Sequence, residues 1–287
     1  MSHGPLRSAL YMPASNQRAM DKARNLPADA IVFDLEDAVA PDSKAEARTA
    51  VVAQLAAGGY GARQIVVRCN GLATPWGRDD LMALAASDVS VICLPKVEND
   101  TELDAVSTVL AEAGRSDVAL WAMLETPAGI ARAGSIALHR AVSVLVMGTT
   151  DLAAELRIPQ RVDRLGLQFA LSQAVLAARQ AGIAVLDGVY LDLNDQEGFH
   201  AVCEQGRALG FDGKTLIHPK QLEDANAVFG PSAEAVRWAE RVLAAWAAAE
   251  AEGKGLAVLD GKLVETMHVD EARRTLATAR HIAELQP

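Results

Sequence analysis

The amino-acid sequence predicts a (β/α)8 TIM barrel, an α/β fold, with a C-terminal helical extension acting as a lid. Three observations predict it. Eight short apolar runs recur along the 287 residues. Most of these runs are continuous rather than alternating, the pattern of parallel strands covered on both faces. Each run is followed by a polar or Gly/Pro break and then by an Ala-rich, charged segment of helical period, so strand and helix alternate throughout.

The strand-like runs fall at 8–13 (SALYMP), 30–35 (AIVFDL), 64–69 (QIVVRC), 90–95 (SVICLP), 118–124 (VALWAML), 142–147 (VSVLVM), 183–187 (IAVLD) and 213–217 (GKTLI). Residues 42–57 read as a helix opened by Pro41-Asp42 and stopped by Gly58-Gly59, residues 99–113 as one ending at Gly114, and residues 164–181 as one ending at Gly182. A doubly wound open sheet is the main alternative, but it would carry a Gly-rich phosphate turn after an early strand, and no GxGxxG or GxxxxGK[ST] occurs. The barrel is expected to occupy residues 1–230 and the extension residues 231–287. The extension reads as an Ala-rich amphipathic helix at 232–251, a short strand-like piece (LAVLDGKLV) and a last helix at about 269–285. Since it is not needed to close the barrel, it is either a packing appendage or a lid over an active site, in this subunit or a neighbouring one.

Hydrophobic residues make up 51% of the chain and aromatic residues only 4%, which suits a core of Ala, Val, Leu and Ile. The net charge of −10 argues against non-specific binding to nucleic acid or to an anionic membrane, while leaving room for a local basic pocket. Cys69, Cys93 and Cys203 are widely spaced, without a CxxC pair, and read as small buried residues in a reducing compartment. The N-terminus has no apolar signal-peptide core, so the cytoplasm is expected.

Active sites of such barrels lie at the C-terminal ends of the strands. Nearly every run ends in a charged or hydrogen-bonding group: Asp34, Glu36 and Asp37 after strand two, Arg68 and Asn70 at strand three, Lys96 after strand four, Glu125 after five, Asp151 after six, Asp187 after seven and His218 after eight. Glu125 and Asp151 follow adjacent strands, about 4.8 Å apart, and are the candidate metal ligands. Two carboxylates completed by water and substrate oxygens suit Mg²⁺, or Mn²⁺ as a substitute, whereas Zn²⁺ would call for His or Cys. Arg68 suits a substrate carboxylate or a developing enolate oxygen, gripped by two hydrogen bonds. The alternative is that it pairs with Glu36 or Asp37 to hold the barrel.

The stretches VFDLEDAVAPDSKAEAR, VVRCNG, LPKVE, LETPAGI, MGTTDLAAEL and FDGKTLIHPKQ resemble, in order and spacing, the citrate lyase β-subunit-like group of the HpcH/HpaI aldolase superfamily. The resemblance runs from about residue 6 to residue 280. It implies a Mg²⁺-dependent carbon–carbon lyase of retro-aldol or Claisen type, forming a homotrimer or a dimer of trimers. The substrate implied is a 3-hydroxyacyl-CoA thioester such as malyl-CoA or citramalyl-CoA, and the products are acyl-CoA and glyoxylate or pyruvate. By position Glu125 and Asp151 match metal ligands, Arg68 a substrate-binding arginine, Glu36 and Asp37 an acidic pair of the active site, and Lys22 a lysine near the CoA phosphates. A Pro-Gly-Ser-Arg-type turn reads Pro13-Ala14-Ser15-Asn16 here, and Arg18 is expected to stand in for its arginine. The lid motif reads Gly261-Lys262-Leu263-Val264-Glu265, with Glu265 where many such lyases carry an aspartate that reaches a neighbouring subunit's active site. The glutamate resembles the branch that includes malyl-CoA thioesterases. Hydrolysis of the same thioester is therefore the first alternative function, and a citrate lyase β subunit working only within a multi-protein complex the second.

Overall fold

The computed structural model describes residues 4–285, so the first three and last two residues, which enter the expected domain limits and the N-terminal reading, lie outside the described residues. All eight runs form strands: β1 (Ser8–Pro13), β2 (Ala30–Asp34), β3 (Gln64–Arg68), β4 (Val91–Leu94), β5 (Ala119–Leu124), β6 (Val142–Met147), β7 (Ala184–Asp187) and β8 (Gly213–Leu216). Each pairs in parallel with the next, and β8 pairs with β1, so the sheet closes into a barrel. The helices are α1 (Gln17–Ala23), α2 (Lys44–Ala57), α3 (Gly77–Ala85), α4 (Asp100–Glu112), α5 (Pro127–Ala131), α6 (Ala133–Leu138), α7 (Thr149–Glu155), α8 (Gln168–Ala181), α9 (Gln196–Leu209) and α10 (Leu222–Phe229).

Local chemistry explains the boundaries. The Asn99 side chain accepts the Glu102 N–H and starts α4, and Gly182 stops α8 in the left-handed conformation. The helix expected from residue 164 begins four residues later. Arg164 takes a left-handed conformation (φ 49°), and a single 3-10 turn, Leu165–Leu167, precedes α8.

Alternation of side chains across the closed sheet sorts the strand residues into two cores. Ala9, Val32, Val66, Cys93, Trp121, Met123, Val144 and Leu186 fill the barrel interior. Leu10, Ile31, Phe33, Val67, Ile92, Leu94, Leu120, Leu145 and Val185 face outward into the layer beneath the helices. All three cysteines are buried and free, and burial pushes the Cys203 thiol up to about 12.

The same parity moves one strand-end group away from the mouth. Asp187 follows inward-facing Leu186, so it points outward. There it accepts from Arg164 Nη1 at 2.7 Å and from the fully buried Lys214 Nζ at 3.0 Å, tying β7, β8 and the segment before α8 together. Burial alone would raise its pKa, but the two cations outweigh it and hold the carboxyl below its usual range.

The extension comprises α11 (Ala233–Ala251), β9 (Ala257–Leu259), β10 (Lys262–Val264) and α12 (Thr266–Leu285). The strand-like piece is an antiparallel hairpin turned by Asp260-Gly261, both at positive φ (51° and 75°), the signature of a two-residue hairpin turn. The last helix begins three residues before the start read from the sequence. The extension has its own small apolar cluster, including Ala239, Val242, Val264 and Val269, separate from the barrel cores. No helix among the described residues is long and apolar enough to cross a membrane.

Replacing Asp187 with Ala would leave two buried cations without their shared carboxylate. Such a break costs about 3–5 kcal/mol, which denaturant unfolding of Asp187→Ala should show as a lower midpoint at an unchanged slope.

Candidate active site at the barrel mouth

The parity that fills the interior also aims a set of side chains into the mouth. Tyr11 follows Ala9, Asp34 follows Val32, Arg68 follows Val66 and Glu125 follows Met123, each two residues beyond an inward-facing one. They line a cavity of about 390 Å³, with Asp37 and Asp151 at its edge and Met147, Val189, Leu191 and Ile217 forming an apolar wall.

Arg68 is held by a partner that the sequence reading did not assign to the site. Asp34 takes both forks of the guanidinium, Nε at 2.7 Å and Nη2 at 2.6 Å, and also caps the next turn by accepting the N–H groups of Glu36 and Ala38. The two-bond grip expected for a substrate oxygen is thus made with Asp34. Nη1 remains, 2.8 Å from Glu36 Oε2 and 3.4 Å from Asp37 Oδ2, and the guanidinium lies 4.8 Å from the centre of the Tyr11 ring. The pairing with Glu36 and Asp37 weighed from the sequence is present, but it is secondary to Asp34.

Glu125 and Asp151 come together because β5 and β6 are neighbours, with Leu124 opposite Met147. Glu125 is buried, and its Oε1 accepts the Lys96 N–H at 2.7 Å. Lys96 adopts φ 50°, an uncommon left-handed conformation for a residue with a side chain, and this turns its N–H towards the carboxylate. Gly148 is required beside it: a Cβ there would lie 2.2 Å from Glu125 Oε2. The Lys96 ammonium stands 3.5 Å from both Glu36 Oε1 and Asp151 Oδ2.

The mouth is therefore rich in negative charge. Asp34, Glu36, Asp37, Glu125 and Asp151 face one arginine and one lysine. Glu36 Oε2 is buried without an aligned hydrogen bond, despite its proximity to Arg68. Burial, then the charge of Glu36, pushes the Glu125 carboxyl up to about 7; burial also raises Glu36, only partly offset by Arg68. Burial opposes the Lys96 charge, but the surrounding carboxylates outweigh it and raise its pKa. An arrangement with a free carboxylate oxygen on Glu125, a half-exposed Asp151 and surplus negative charge fits a divalent cation held by two protein ligands. Among the described residues no group of three or more His, Cys, Asp or Glu forms a metal cage. His218 instead caps the turn after β8, accepting the Lys220 N–H.

Three of the residues singled out from the sequence are not brought to this cavity by their own chain. Arg18 and Lys22 are exposed on α1, and Glu265 is exposed at the β10–α12 junction, where its N–H donates to His268 Nδ1. None of the three lines the cavity. Tyr11 was not singled out from the sequence, and Asp34 and Lys96 were read only as strand-end groups without a role. For Tyr11 and Asp34 the available signal was the period-2 count along the strands; the left-handed turn at Lys96 leaves no mark in the sequence.

Comparison with known proteins fits this geometry. Residues 7–219 match the HpcH/HpaI aldolase/citrate lyase family. The chain belongs to that family. It is 50% identical over 279 residues to the (3S)-malyl-CoA thioesterase of Cereibacter sphaeroides strain ATCC 17025, covering 97% of this chain and 96% of the relative. It is 36% identical over 281 residues to the citrate lyase subunit beta of Escherichia coli K12, covering 95% and 93%. Among solved structures, Mycobacterium tuberculosis CitE in complex with magnesium, acetoacetate and coenzyme A superposes with a TM-score of 0.76 at 29% identity, covering 98% of this chain and 99% of that one.

The raised Glu125 pKa sets a pH dependence. A carboxyl at about 7 when folded, against 4.5 as its ordinary value, contributes stability that is present below pH 4.5 and lost as pH rises through 7. In metal-free buffer Glu125→Gln should melt higher than the wild type at pH 8, and the gap should close towards pH 5. A gap independent of pH would contradict the assignment.

Proposed function

We propose that the chain is a Mg²⁺-dependent enzyme that hydrolyses a short 3-hydroxyacyl-CoA thioester of the malyl-CoA type. The observation that carries this reading is the mouth: five carboxylates against two cations, beside an apolar wall, in a cavity sized for the acyl end of a thioester. Hydrolysis is favoured over cleavage by the 50% identity to a malyl-CoA thioesterase, against 36% to a citrate lyase β subunit. It is favoured also by Glu265 at the lid position. Carbon–carbon cleavage, which the sequence motifs put first, is the second reading, supported by the citrate lyase relatives and by Arg68, a cation at the mouth of the kind that stabilises enolate charge.

In this reading Glu125 and Asp151 hold the metal, which supplies a Lewis acid towards substrate oxygens. Asp34 fixes Arg68, so that Nη1 meets a substrate oxygen in a set orientation and at little entropic cost. Tyr11, Met123 and the apolar wall keep bulk water from the acyl group. A lid carboxylate, Glu265 from a neighbouring chain, takes a proton from the attacking water as its oxygen bonds to the thioester carbon. The carbon–sulfur bond then breaks and the proton goes to the thiolate, giving malate and CoA. In cleavage the same carboxylate takes the 3-hydroxyl proton instead, the bond between the hydroxyl-bearing carbon and the carbon next to the thioester breaks, and the proton goes to the resulting enolate carbon, giving glyoxylate and acetyl-CoA. Arg18 and Lys22 serve the CoA phosphates from the exposed face of α1. A lid that works in a neighbouring chain requires the trimer, or dimer of trimers, that the motifs imply. The exposed Val258, Leu263 and Met267 around Glu265 give such a lid an apolar face.

Incubation with malyl-CoA and mass detection of every product separates the readings. Malate and free CoA without glyoxylate are expected; stoichiometric glyoxylate and acetyl-CoA would transfer the assignment to the lyase. Glu265→Gln should retain acyl-CoA binding and turn over at least about tenfold more slowly; unchanged turnover would remove Glu265 from the mechanism. Because the metal competes with the proton on Glu125, Mg²⁺ affinity measured by calorimetry should weaken as pH falls below about 7, with proton release on binding.

A further inference from the structure

A large charged cleft lies at the other end of the barrel. It has a volume of about 980 Å³ and separates the N-terminal ends of β1, β5, β6 and β7 from the C-terminal half of α12. We propose that this cleft binds a small multivalent anion carrying phosphate groups, and that the bound anion fastens α12 to the barrel floor.

The charges in the cleft lead to this assignment. Most are already paired: Arg7 with Asp29 at 2.7 Å, Arg179 with Asp212 at 2.8 Å, and Asp117 with Arg115 at 3.0 Å. Three arginines are left over. Arg140 comes from the turn before β6, Arg207 from the last turn of α9 and Arg274 from α12, and none has a hydrogen-bonded or ionic side-chain partner among the described residues. His281 lies on the same face of α12, seven residues beyond Arg274. In a chain of net charge −10, unpaired guanidinium groups converging from three separate elements run against the overall balance.

Their chemistry selects the ligand class. A guanidinium presents a planar fork that meets phosphate oxygens with two hydrogen bonds. A phosphate chain offers charge at successive positions, so it can meet three walls at once, whereas a monocarboxylate meets one. The volume admits a ligand up to the size of a nucleotide.

Packing gives the site a consequence. α11 and α12 pack chiefly on one another, around an apolar cluster separate from the barrel cores. The cleft is the seam between that unit and the floor. An anion shared by Arg274, Arg140 and Arg207 closes the seam with charge-assisted bonds. Since α12 starts directly after Glu265, the same anion would set where the hairpin and Glu265 are held.

The test is calorimetric titration of the full-length protein with inorganic pyrophosphate and with tripolyphosphate in Mg²⁺-free buffer, with adenosine as the uncharged control. A site that free CoA does not displace is expected for the phosphates and none for adenosine. Arg140→Ala and Arg274→Ala should each weaken binding at least about tenfold, the scale of one charge-assisted contact. Hydrogen exchange should slow in α12 on adding tripolyphosphate to the wild type but not to Arg274→Ala. The exposed positions of Arg140 and Arg274 predict unchanged melting of both variants without anion, so lost binding would not reflect unfolding. The proposal is overturned by absence of binding at millimolar phosphate, or by wild-type binding in both floor variants. It is overturned equally if Arg18→Ala or Lys22→Ala abolishes binding and free CoA displaces the phosphates, which would place the anion at the mouth.

Discussion

Closing eight parallel strands into a barrel leaves each strand residue only two directions, into the interior or out beneath the helices. The interior has room for one packed set of side chains and no more. At Gly213 even a single added carbon would lie 1.8 Å from the Leu6 carbonyl oxygen, and Trp121 is completely buried. Charged groups on inward-facing positions are therefore confined to where the barrel opens. Asp34 and Arg68 are the last inward residues of their strands, Tyr11 stands one inward step before the end of β1 and Glu125 one step past Met123 of β5, and their convergence follows from that restriction. The Asp187–Lys214–Arg164 network occupies the outward side of the same wall, where it braces the sheet instead of facing the mouth.

At the mouth, geometry creates an electrostatic imbalance that the chain alone does not neutralise. Asp34 uses its two oxygens to orient Arg68, which leaves less of that positive charge for Glu36. Burial penalises the ionised forms of Glu36 and Glu125, and the charge of Glu36 adds to the cost at Glu125. Lys96 is the local compensation, and it is set in place by a left-handed backbone conformation (φ 50°) that also turns its N–H onto Glu125. Strain of this kind persists only where surrounding contacts determine the backbone, and it gathers at functional sites. A divalent cation would relieve the same imbalance more fully than a proton on Glu125 does.

The two ends of the molecule also differ in how they are made. The mouth is built from strand ends and is rigid because the sheet is closed. The floor cleft is bounded on one side by α12, which belongs to a unit with its own apolar cluster and a hairpin bearing exposed Val258, Leu263 and Met267. Arg274 and Glu265 lie nine residues apart, about 14 Å along a helical path, so the position of that unit links the floor to Glu265.

The sequence by itself determined the barrel. Continuous apolar runs, capping residues and glycine stops are local signals, and a closed parallel sheet is the arrangement that buries all of them. It also placed Glu125 and Asp151 on neighbouring strand ends and marked LAVLDGKLV as strand-like, without its hairpin turn. The tertiary structure decided which strand-end groups share one space. It assigned Arg68 to Asp34 because both are inward and adjacent across β2 and β3, and it removed Asp187 from the mouth by one step of alternation. It brought in Lys96 through a backbone angle that residue identity does not encode. Glu265, Arg18 and Lys22 were found by motif, yet their own chain leaves them exposed. Motifs specify residues, whereas proximity depends on strand parity, closure and burial, which exist only once the sheet has closed.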